Sequence, residues 1–222
     1  MLFYLIDKKL NNTTDNDSKA NNMTTLLQLN SSIFSANGNS SQLANEFVAK
    51  WQAKNPTASL IVRDLASHPL PHLDAQRVSA FFTPPESRTP EQLVYVEESD
   101  ALINELKQAT VIVIGLPMYN FGIPSTLKAY FDQIARAGVT FRYTANRPEG
   151  LLSGKKVYVF AARGGQYAGT ALDSQTTYVR DFLGFLGMSD VEFVYAEGLN
   201  MGEEIKAKAL ANAQQRLAEL AV

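Results

Sequence analysis

Three short stretches hold the residue types that could do chemistry in this chain. Residues 31–41 are dense in hydroxyl and amide side chains, residues 118–122 read Met-Tyr-Asn-Phe-Gly, and residues 162–166 read Ala-Arg-Gly-Gly-Gln. Each stretch follows a run of apolar residues. No Ser-His-Asp set and no pair of carboxylates with a clear geometry emerges from the sequence. If the protein is an enzyme, we therefore expect a bound coenzyme to carry the reaction.

Residues 31–41 predict a phosphate site. The amino terminus of a helix offers unpaired N–H groups and the positive end of a dipole. Ser32, Asn39 and Ser40 add neutral donors, and Gly38 lets the backbone turn and approach a ligand closely. The stretch has no lysine or arginine, and it matches neither a P-loop nor a Gly-x-Gly-x-x-Gly turn. A terminal phosphate monoester fits best; an ordinary polar turn with a helix cap is the alternative.

Residues 118–122 predict a seat for a flat ring system. Backbone N–H groups and the Asn120 amide can bond ring nitrogens and carbonyls, while Tyr119 and Phe121 supply flat walls. Such donors would stabilise the negative charge that develops on a flavin when it is reduced. The alternative is that both aromatic side chains belong to the core.

The third stretch, residues 162–165, predicts another ligand contact. Gly164 and Gly165 allow positive φ angles and a close approach of backbone N–H groups to a ligand. A plain turn is the alternative when this stretch is considered alone. Three such stretches, each after a predicted strand, favour one shared site.

Metal and thiol chemistry find little support. The two histidines, His68 and His72, are separated by Pro69 and Pro71, so they cannot form a helical metal pair, and the chain has no cysteine. We expect both histidines to lie in a loop and we predict no metal site.

Composition excludes other classes. The 222 residues carry a net charge of -2, with 45% hydrophobic and 19% charged residues, which is typical of a globular domain. There is no basic footprint for nucleic acid and no apolar run long enough to cross a membrane. We expect a cytoplasmic protein.

Strand and helix patterns alternate five times, which predicts an α/β fold: a doubly wound parallel sheet in three α/β/α layers. Five strands favour the flavodoxin-like order 2-1-3-4-5, whose crevice opens beside the first and third strands. Residues 67–90 and 138–155 are expected to be irregular, and the helix after Pro90 is expected to bury Leu93, Val96, Ile103 and Leu106. The predicted strands are residues 24–30, 60–62, 111–114, 156–162 and 191–196, and the predicted helices begin near Ser40, Pro90, Pro124, Asp173 and Glu203.

The polar tract in residues 11–22 predicts that residues 1–22 are a disordered extension. Met23 would then be the functional start and residues 23–222 a single domain. A small appendage with its own role is the alternative.

Several motifs resemble those of the FMN-dependent NADH-azoreductases, also described as NADH:quinone oxidoreductases. The most specific are Pro-Met-Tyr-Asn-Phe (117–121) and Val-Thr-Phe-Arg-Tyr (139–143). The resemblance runs from about residue 23 to the carboxyl terminus. The other matching motifs are Leu-Asn-Ser-Ser-Ile (29–33), Glu-Gly-Leu (149–151), Ala-Arg-Gly-Gly (162–165), Phe-Leu-Gly-Phe (182–185) and Ala-Glu-Gly (196–198).

The resemblance implies a homodimer that binds FMN and reduces quinones and azo compounds with NADH or NADPH. By motif, the phosphate would be held by Ser32, Gly38, Asn39 and Ser40, one side of the flavin ring by Met118, Tyr119, Asn120 and Phe121, and its other side by Ala162, Arg163, Gly164 and Gly165. Phe121, Phe185 and Tyr143 would line the substrate pocket, with Tyr143 reaching from the partner subunit. Ala162 stands where the family commonly has serine, so a hydroxyl contact is lost there.

The resemblance also implies a ping-pong reaction, in which the reduced nicotinamide and the acceptor use the open face of the flavin in turn. Independently of the resemblance, the aromatic and arginine residues within 139–143 favour a protein interface, with a packed surface loop as the alternative.

The rival function is a flavodoxin-type electron carrier, and a charge of only -2 argues against it. A nucleotide-binding regulator is a weaker third possibility.

Overall fold

A five-stranded parallel sheet forms the centre of the computed structural model, which describes residues 24–221. The strands of this sheet are β1 (Thr25–Asn30), β2 (Ser59–Asp64), β3 (Val111–Pro117), β6 (Lys156–Ala162) and β7 (Asp190–Ala196). They lie in the order β2-β1-β3-β6-β7, so the predicted order 2-1-3-4-5 is confirmed. The predicted disordered extension and the proposed start at Met23 lie outside the described residues.

Helices cover both faces of the sheet because alternate strand residues point to opposite sides. In β1, Leu27 and Leu29 join one apolar cluster, whereas Leu26 joins the other. The helices are α1 (Asn39–Lys54), α2 (Ala75–Phe82), α3 (Pro90–Gln108), α4 (Ser125–Ile134), α5 (Ser174–Phe185) and α6 (Glu203–Leu220). The first cluster packs under α3, α4 and α5, and the second under α1 and α6.

The expectation that residues 67–90 are irregular is wrong for α2. Asp74 caps this helix by accepting a hydrogen bond from Arg77 N at 2.9 Å, and Ala80 is fully buried. The nearest prolines lie on either side of the helix, at positions 71 and 84. The segment is rich in proline as a whole, but the residues between these two prolines can form two helical turns.

The start of α3 is the predicted one. Thr89 caps it, Pro90 stands at its first position, and the Gln92 side chain accepts from Thr89 N at 3.1 Å, which completes a capping box. Its buried stripe differs from the prediction in one place, because Leu93 is exposed and Leu102 is buried instead.

Residues 138–155 contain a small hairpin, β4 (Phe141–Tyr143) and β5 (Pro148–Gly150), rather than only irregular chain. A side chain on Gly150 would place its Cβ 2.0 Å from Gly187 N, so glycine allows the hairpin to pack against the turn after α5. This contact seats the hairpin against the end of α5.

Within residues 24–221, no helix is both long enough and apolar enough to cross a membrane.

Candidate functional site

Three strands end side by side at the carboxyl edge of the sheet. Asn30 of β1 pairs with Gly115 of β3, and Pro117 of β3 pairs with Ala162 of β6. The Ser31 hydroxyl donates to Gly115 O at 2.7 Å, and Met118 N donates to Ala162 O at 3.0 Å. The strand register therefore brings the three predicted stretches together at one edge, as expected for an open α/β sheet.

Two adjoining cavities lie between these stretches, and all twelve residues predicted to bind a cofactor line one or both. The first cavity, of about 210 Å³, is lined among others by Ser32, Gly38, Asn39, Ser40, Met118, Tyr119, Ala162, Arg163 and Gly164. The second, of about 400 Å³, is lined by Met118, Asn120, Phe121, Gly164, Gly165, Tyr167 and Asn200. Met118, Gly164 and Asn200 line both cavities, so the two form one crevice.

The first cavity ends on the amino terminus of α1. No acidic residue lies in the first turn, and the capping residue is Gly38, which has no side chain that could accept from the N–H groups there. The Ser40 hydroxyl is buried and has no hydrogen-bond partner among residues 24–221. Free N–H groups, the helix dipole and this unpaired hydroxyl make the end of the crevice suited to an anion.

Gly38 is needed for space rather than for a left-handed backbone. Its φ angle is -70°, which any residue can adopt. A Cβ at this position would, however, lie 2.1 Å from Ser32 Oγ. The predicted close approach at Gly38 is therefore an approach to Ser32, which in turn lies 3.3 Å from the Tyr119 hydroxyl.

Residues 119–122 form a tight turn with two non-glycine residues in the left-handed region. Gly122 N donates to Tyr119 O at 2.9 Å and Tyr119 N donates to Gly122 O at 3.2 Å. Asn120 has φ 50° and Phe121 has φ 62°, the pattern of a two-residue hairpin turn that normally favours Asn-Gly. Backbone strain of this kind persists only where the surroundings fix it, and it concentrates at functional sites.

The turn is fixed from behind by the start of α5. Gln175 Nε2 donates to Pro117 O and to Gly122 O, each at 2.9 Å, and the Ser174 hydroxyl donates to Phe121 O. These bonds hold both flanks of the turn, so Phe121 keeps its strained conformation although its side chain is 53% exposed.

The third stretch departs from its prediction in two ways. Gly164 and Gly165 do not have positive φ angles. Instead, a Cβ on Gly164 would lie 2.6 Å from Asn200 Nδ2, and one on Gly165 would lie 2.7 Å from the Tyr167 hydroxyl. Neighbouring side chains therefore occupy the space that a Cβ at either position would need.

Arg163 lines the crevice, but its side chain is fully buried beneath it. Its guanidinium pairs with Asp173 at 2.9 Å and with Glu197 at 3.0 Å, and its Nε donates to Gln175 Oε1 at 3.2 Å. Glu197 also accepts from Tyr167 N at 3.0 Å. This Arg163 cluster, formed by Arg163, Asp173, Gln175 and Glu197, connects the third stretch to the start of α5.

Asp173 has a pKa below its ordinary value. Burial raises the pKa, but hydrogen bonds from Thr176 and Arg163, together with the charge of Arg163, outweigh it. A group whose pKa is lowered on folding adds stability above its unfolded pKa, near 3.9, and that stability is lost as the pH falls through the folded value. The cluster should therefore be weakened by acid.

We expect Asp173→Asn to lower the free energy of unfolding at pH 7, and the loss to shrink as the pH falls below about 4. Asparagine still caps α5, so the change isolates the charge. Urea unfolding of the wild type and the variant at pH 7 and at pH 3.5 measures the loss at each pH. Asp74→Asn, at the cap of α2, is the matched control; the same pH-dependent loss in both variants would contradict a role for Arg163.

The predicted substrate-pocket residues are not all at the crevice. Phe121 lines it, whereas Tyr143 and Phe185 line neither of its cavities. Both pack on Phe141, with ring centroids 5.5 Å and 4.3 Å from it. Phe141 is buried and Tyr143 is 74% exposed, so within one chain the hairpin presents Tyr143 to solvent.

His72 and His68 differ in position. His72 lines another cavity, of about 440 Å³, to which Phe121 and Tyr178 also contribute. His68 lies in the turn after β2, where its N–H donates to Asp64 O at 3.0 Å. Among residues 24–221 there is no group of three His, Asp or Glu side chains that could hold a metal ion.

Six residues that line the crevice were not predicted to bind a cofactor: Phe34, Asn37, Pro117, Tyr167, Leu199 and Asn200. Gln175, which supports the turn from behind, was not predicted either. Asn200 follows β7, and the rule that ligands bind beyond the carboxyl ends of parallel strands could have pointed to it. Tyr167 lies two residues beyond Gly165, just after the third stretch. Gln175 gives no signal, because it lies inside a predicted helix.

Comparison with known proteins gives one consistent answer. Residues 24–221 match the model of a family described as having a flavodoxin-like fold. The chain is 61% identical over 196 residues to the FMN-dependent NADH:quinone oxidoreductase 6 of Burkholderia lata, covering 88% of this chain and 99% of that protein. It is 59% identical over 189 residues to the FMN-dependent NADH:quinone oxidoreductase of Cellvibrio japonicus, covering 85% and 95%.

Solved structures agree with this. The azoreductase of Bacillus anthracis superposes with a TM-score of 0.83 at 28% identity, covering 90% of this chain and 99% of that one. An FMN-dependent NADH-azoreductase from the same organism, in complex with FMN, superposes with a TM-score of 0.82 at 27% identity, covering 90% and 98%.

Proposed function

This chain belongs to the flavodoxin-like family of FMN-dependent NADH:quinone oxidoreductases, and we propose that it binds FMN in the crevice and reduces quinones with NADH. The observation that carries the proposal is that one crevice gathers all twelve predicted contacts, with an anion-binding end at α1 and a wider cavity beside Phe121. Relatives at 61% and 59% identity that carry this name support it.

The residues present fit FMN. Its phosphate would lie at the start of α1, where the buried Ser40 hydroxyl has no partner among the described residues. Neutral donors are sufficient there because the helix terminus already favours negative charge. The flavin ring would lie in the second cavity, between the turn at 119–122 and Gly164–Gly165.

Bound FMN would supply the redox chemistry, accepting hydride from NADH and passing reducing equivalents to the acceptor. The chain's own contribution is to bind and orient. Backbone N–H groups of the turn and the Asn120 amide would face the ring, and Phe121 and Tyr167, which pack edge to face at 5.5 Å, would limit the space above it. No side chain of the crevice is an obvious general acid, so protons would come from water.

Three finer points belong to the same proposal. Besides reducing quinones, the protein would reduce azo compounds to amines, as the names of the azoreductases suggest for those proteins. The donor and acceptor would take turns at one face, which gives ping-pong kinetics. NADH is proposed as donor from the relatives' names, and NADPH is to be compared with it in the same assay.

We further propose a homodimer in which Tyr143 completes the acceptor pocket of the partner subunit. The reason is that Tyr143 is exposed and Phe185 lies away from the crevice of its own chain, so neither can line it without a second copy. A single domain over residues 23–222 and a cytoplasmic location remain predictions.

Tyr143→Ala is expected to lower kcat/KM for a quinone by about tenfold, roughly the value of one lost aromatic contact, while FMN binding stays unchanged. Tyr143→Phe keeps the ring and should retain most activity. Steady-state kinetics and FMN titration measure the two effects. Equal loss of FMN and of turnover would contradict a pocket role.

The decisive experiment is a visible spectrum of the purified full chain. We expect a flavin spectrum that bleaches when NADH is added without oxygen and returns when a quinone is added. A protein that takes up no FMN would end the proposal. A flavoprotein that NADH does not bleach would favour the second candidate, an electron carrier.

A further inference from the structure

We infer that Gln175 is a positioning residue: it holds the turn at residues 119–122 in its binding conformation and ties that turn to the Arg163 cluster. The inference rests on the proposed function and deepens it. Gln175 lines neither cavity, so it would act on a bound ligand only through the turn.

The turn needs such support. Asn120 and Phe121 both have positive φ angles, and a bulky side chain at φ 62° costs free energy that glycine would not. The two hydrogen bonds across the turn, between Tyr119 and Gly122, do not by themselves favour phenylalanine at this position. Something outside the turn must keep Phe121 there.

Gln175 provides that support with every polar atom it has. Its Nε2 donates to Pro117 O and Gly122 O, one on each flank of the turn, and its Oε1 accepts from Arg163 Nε. A carboxamide has two N–H donors and one carbonyl, so this set uses its whole capacity as a donor. The side chain is fully buried, so water cannot replace a lost bond.

The contacts also explain why the residue is a glutamine. A glutamate of the same length could not donate to two backbone carbonyls, and beside Arg163 it would be a carboxylate. A leucine would remove the Gln175 partner of Pro117 O and of Arg163 Nε, and would leave Gly122 O with only its bond from Tyr119 N. Only an amide joins two acceptors on the turn to a donor on the buried arginine.

Loss of this bridge should loosen the turn and its N–H groups. FMN binding would then include the free energy of ordering the turn, which lowers affinity. Donors that are less well fixed would also stabilise the reduced flavin less, which moves the midpoint potential to more negative values.

The test compares Gln175→Leu and Gln175→Glu with a matched control, Gln133→Leu. Gln133 is also a buried helical glutamine whose Nε2 donates to a loop carbonyl, Pro71 O at 3.0 Å, but it lies away from the crevice. The readouts are amide hydrogen exchange of residues 119–122 in the full chain without FMN, the affinity for FMN, and the midpoint potential of the bound flavin.

We expect both Gln175 variants to exchange the Gly122 and Tyr119 amides at least about tenfold faster and to bind FMN about tenfold more weakly, corresponding to about 1.4 kcal/mol. Gln133→Leu should leave both values near wild type. Wild-type exchange and affinity in Gln175→Leu would overturn the inference, as would equal losses in Gln133→Leu. A wild-type chain that binds no FMN would instead overturn the proposed function, and the exchange rates would still decide whether Gln175 holds the turn.

Discussion

Replacing Arg163 by leucine is expected to lower the free energy of unfolding by about 3–5 kcal/mol, because it leaves two carboxylates without their buried partner. The Arg163 side chain is fully inaccessible, and Asp173 and Glu197 are also largely buried, at 8% and 15% exposure. The guanidinium additionally lies 5.0 Å from the Tyr195 ring centroid and donates to Thr176 Oγ1 at 3.1 Å. Leucine replaces none of these interactions.

Arg163→Lys separates charge from geometry. A lysine keeps the positive charge but cannot donate to Gln175, Asp173 and Glu197 in the planar arrangement that the guanidinium provides, so we expect an intermediate loss. Urea unfolding at pH 7 gives the free energy of unfolding of the wild type, Arg163→Leu and Arg163→Lys. Lys50→Met is the control, because the Lys50–Glu46 pair is exposed on α1 and such pairs contribute little. A loss in Arg163→Leu as small as that in the control would show that the cluster does not stabilise the fold.

The second large effect concerns ligand affinity. Gly38→Ala is expected to weaken FMN binding by about 10–100-fold. The added Cβ would lie 2.1 Å from Ser32 Oγ and 2.6 Å from Ser32 Cβ, so the backbone at the start of α1 has to move. Overpacking of this kind costs about 1–3 kcal/mol, and here the displaced atoms are those that would hold the phosphate.

Ser32 cannot simply rotate away to make room. Its hydroxyl accepts from Phe34 N at 3.2 Å and lies within hydrogen-bond distance of the Tyr119 hydroxyl, which in turn accepts from Ile33 N at 3.2 Å. A shift of Ser32 therefore disturbs both the first stretch and the turn at 119–122. This coupling is why a single methyl group should affect the whole crevice.

Gly184→Ala is the matched control for Gly38→Ala. Gly184 lies in α5, a Cβ there meets no atom within 4 Å, and alanine is the better helix former. FMN titration followed by flavin fluorescence should give wild-type affinity for this variant. If Gly38→Ala bound FMN as tightly as Gly184→Ala, the phosphate would not lie at the start of α1.

Local patterns of sequence were sufficient for the sheet and most helices. The apolar run at 111–114 required a strand buried on both faces, and Thr89, Pro90 and Gln92 required a helix start, since these signals act within a few residues. The carboxyl-end rule then placed the three chemical stretches at one edge. All twelve predicted cofactor contacts line the crevice for that reason.

Contacts between distant residues decided the rest. Arg163 was predicted as a loop residue beside a ligand, but its side chain turns inward because Asp173 and Glu197, ten and 34 positions away, meet beneath the loop. Gln175 binds carbonyls 53 and 58 positions away, and nothing in its own helix indicates this. The proline-rich segment around α2 misled in the same way, because only packing selects the helix between its prolines.

The sequence by itself determined which elements form, in what order the strands lie, and which loops meet at the carboxyl edge, because these depend on periodicity, capping and handedness over short distances. Only the tertiary structure decided that Phe121 lies in a left-handed turn and that Gln175 and Arg163 support this turn. It also decided that the Ser32 side chain occupies the space where a Cβ on residue 38 would lie. Those features depend on which buried polar groups can satisfy one another, and partners for such groups are chosen by the packed fold rather than by neighbours along the chain.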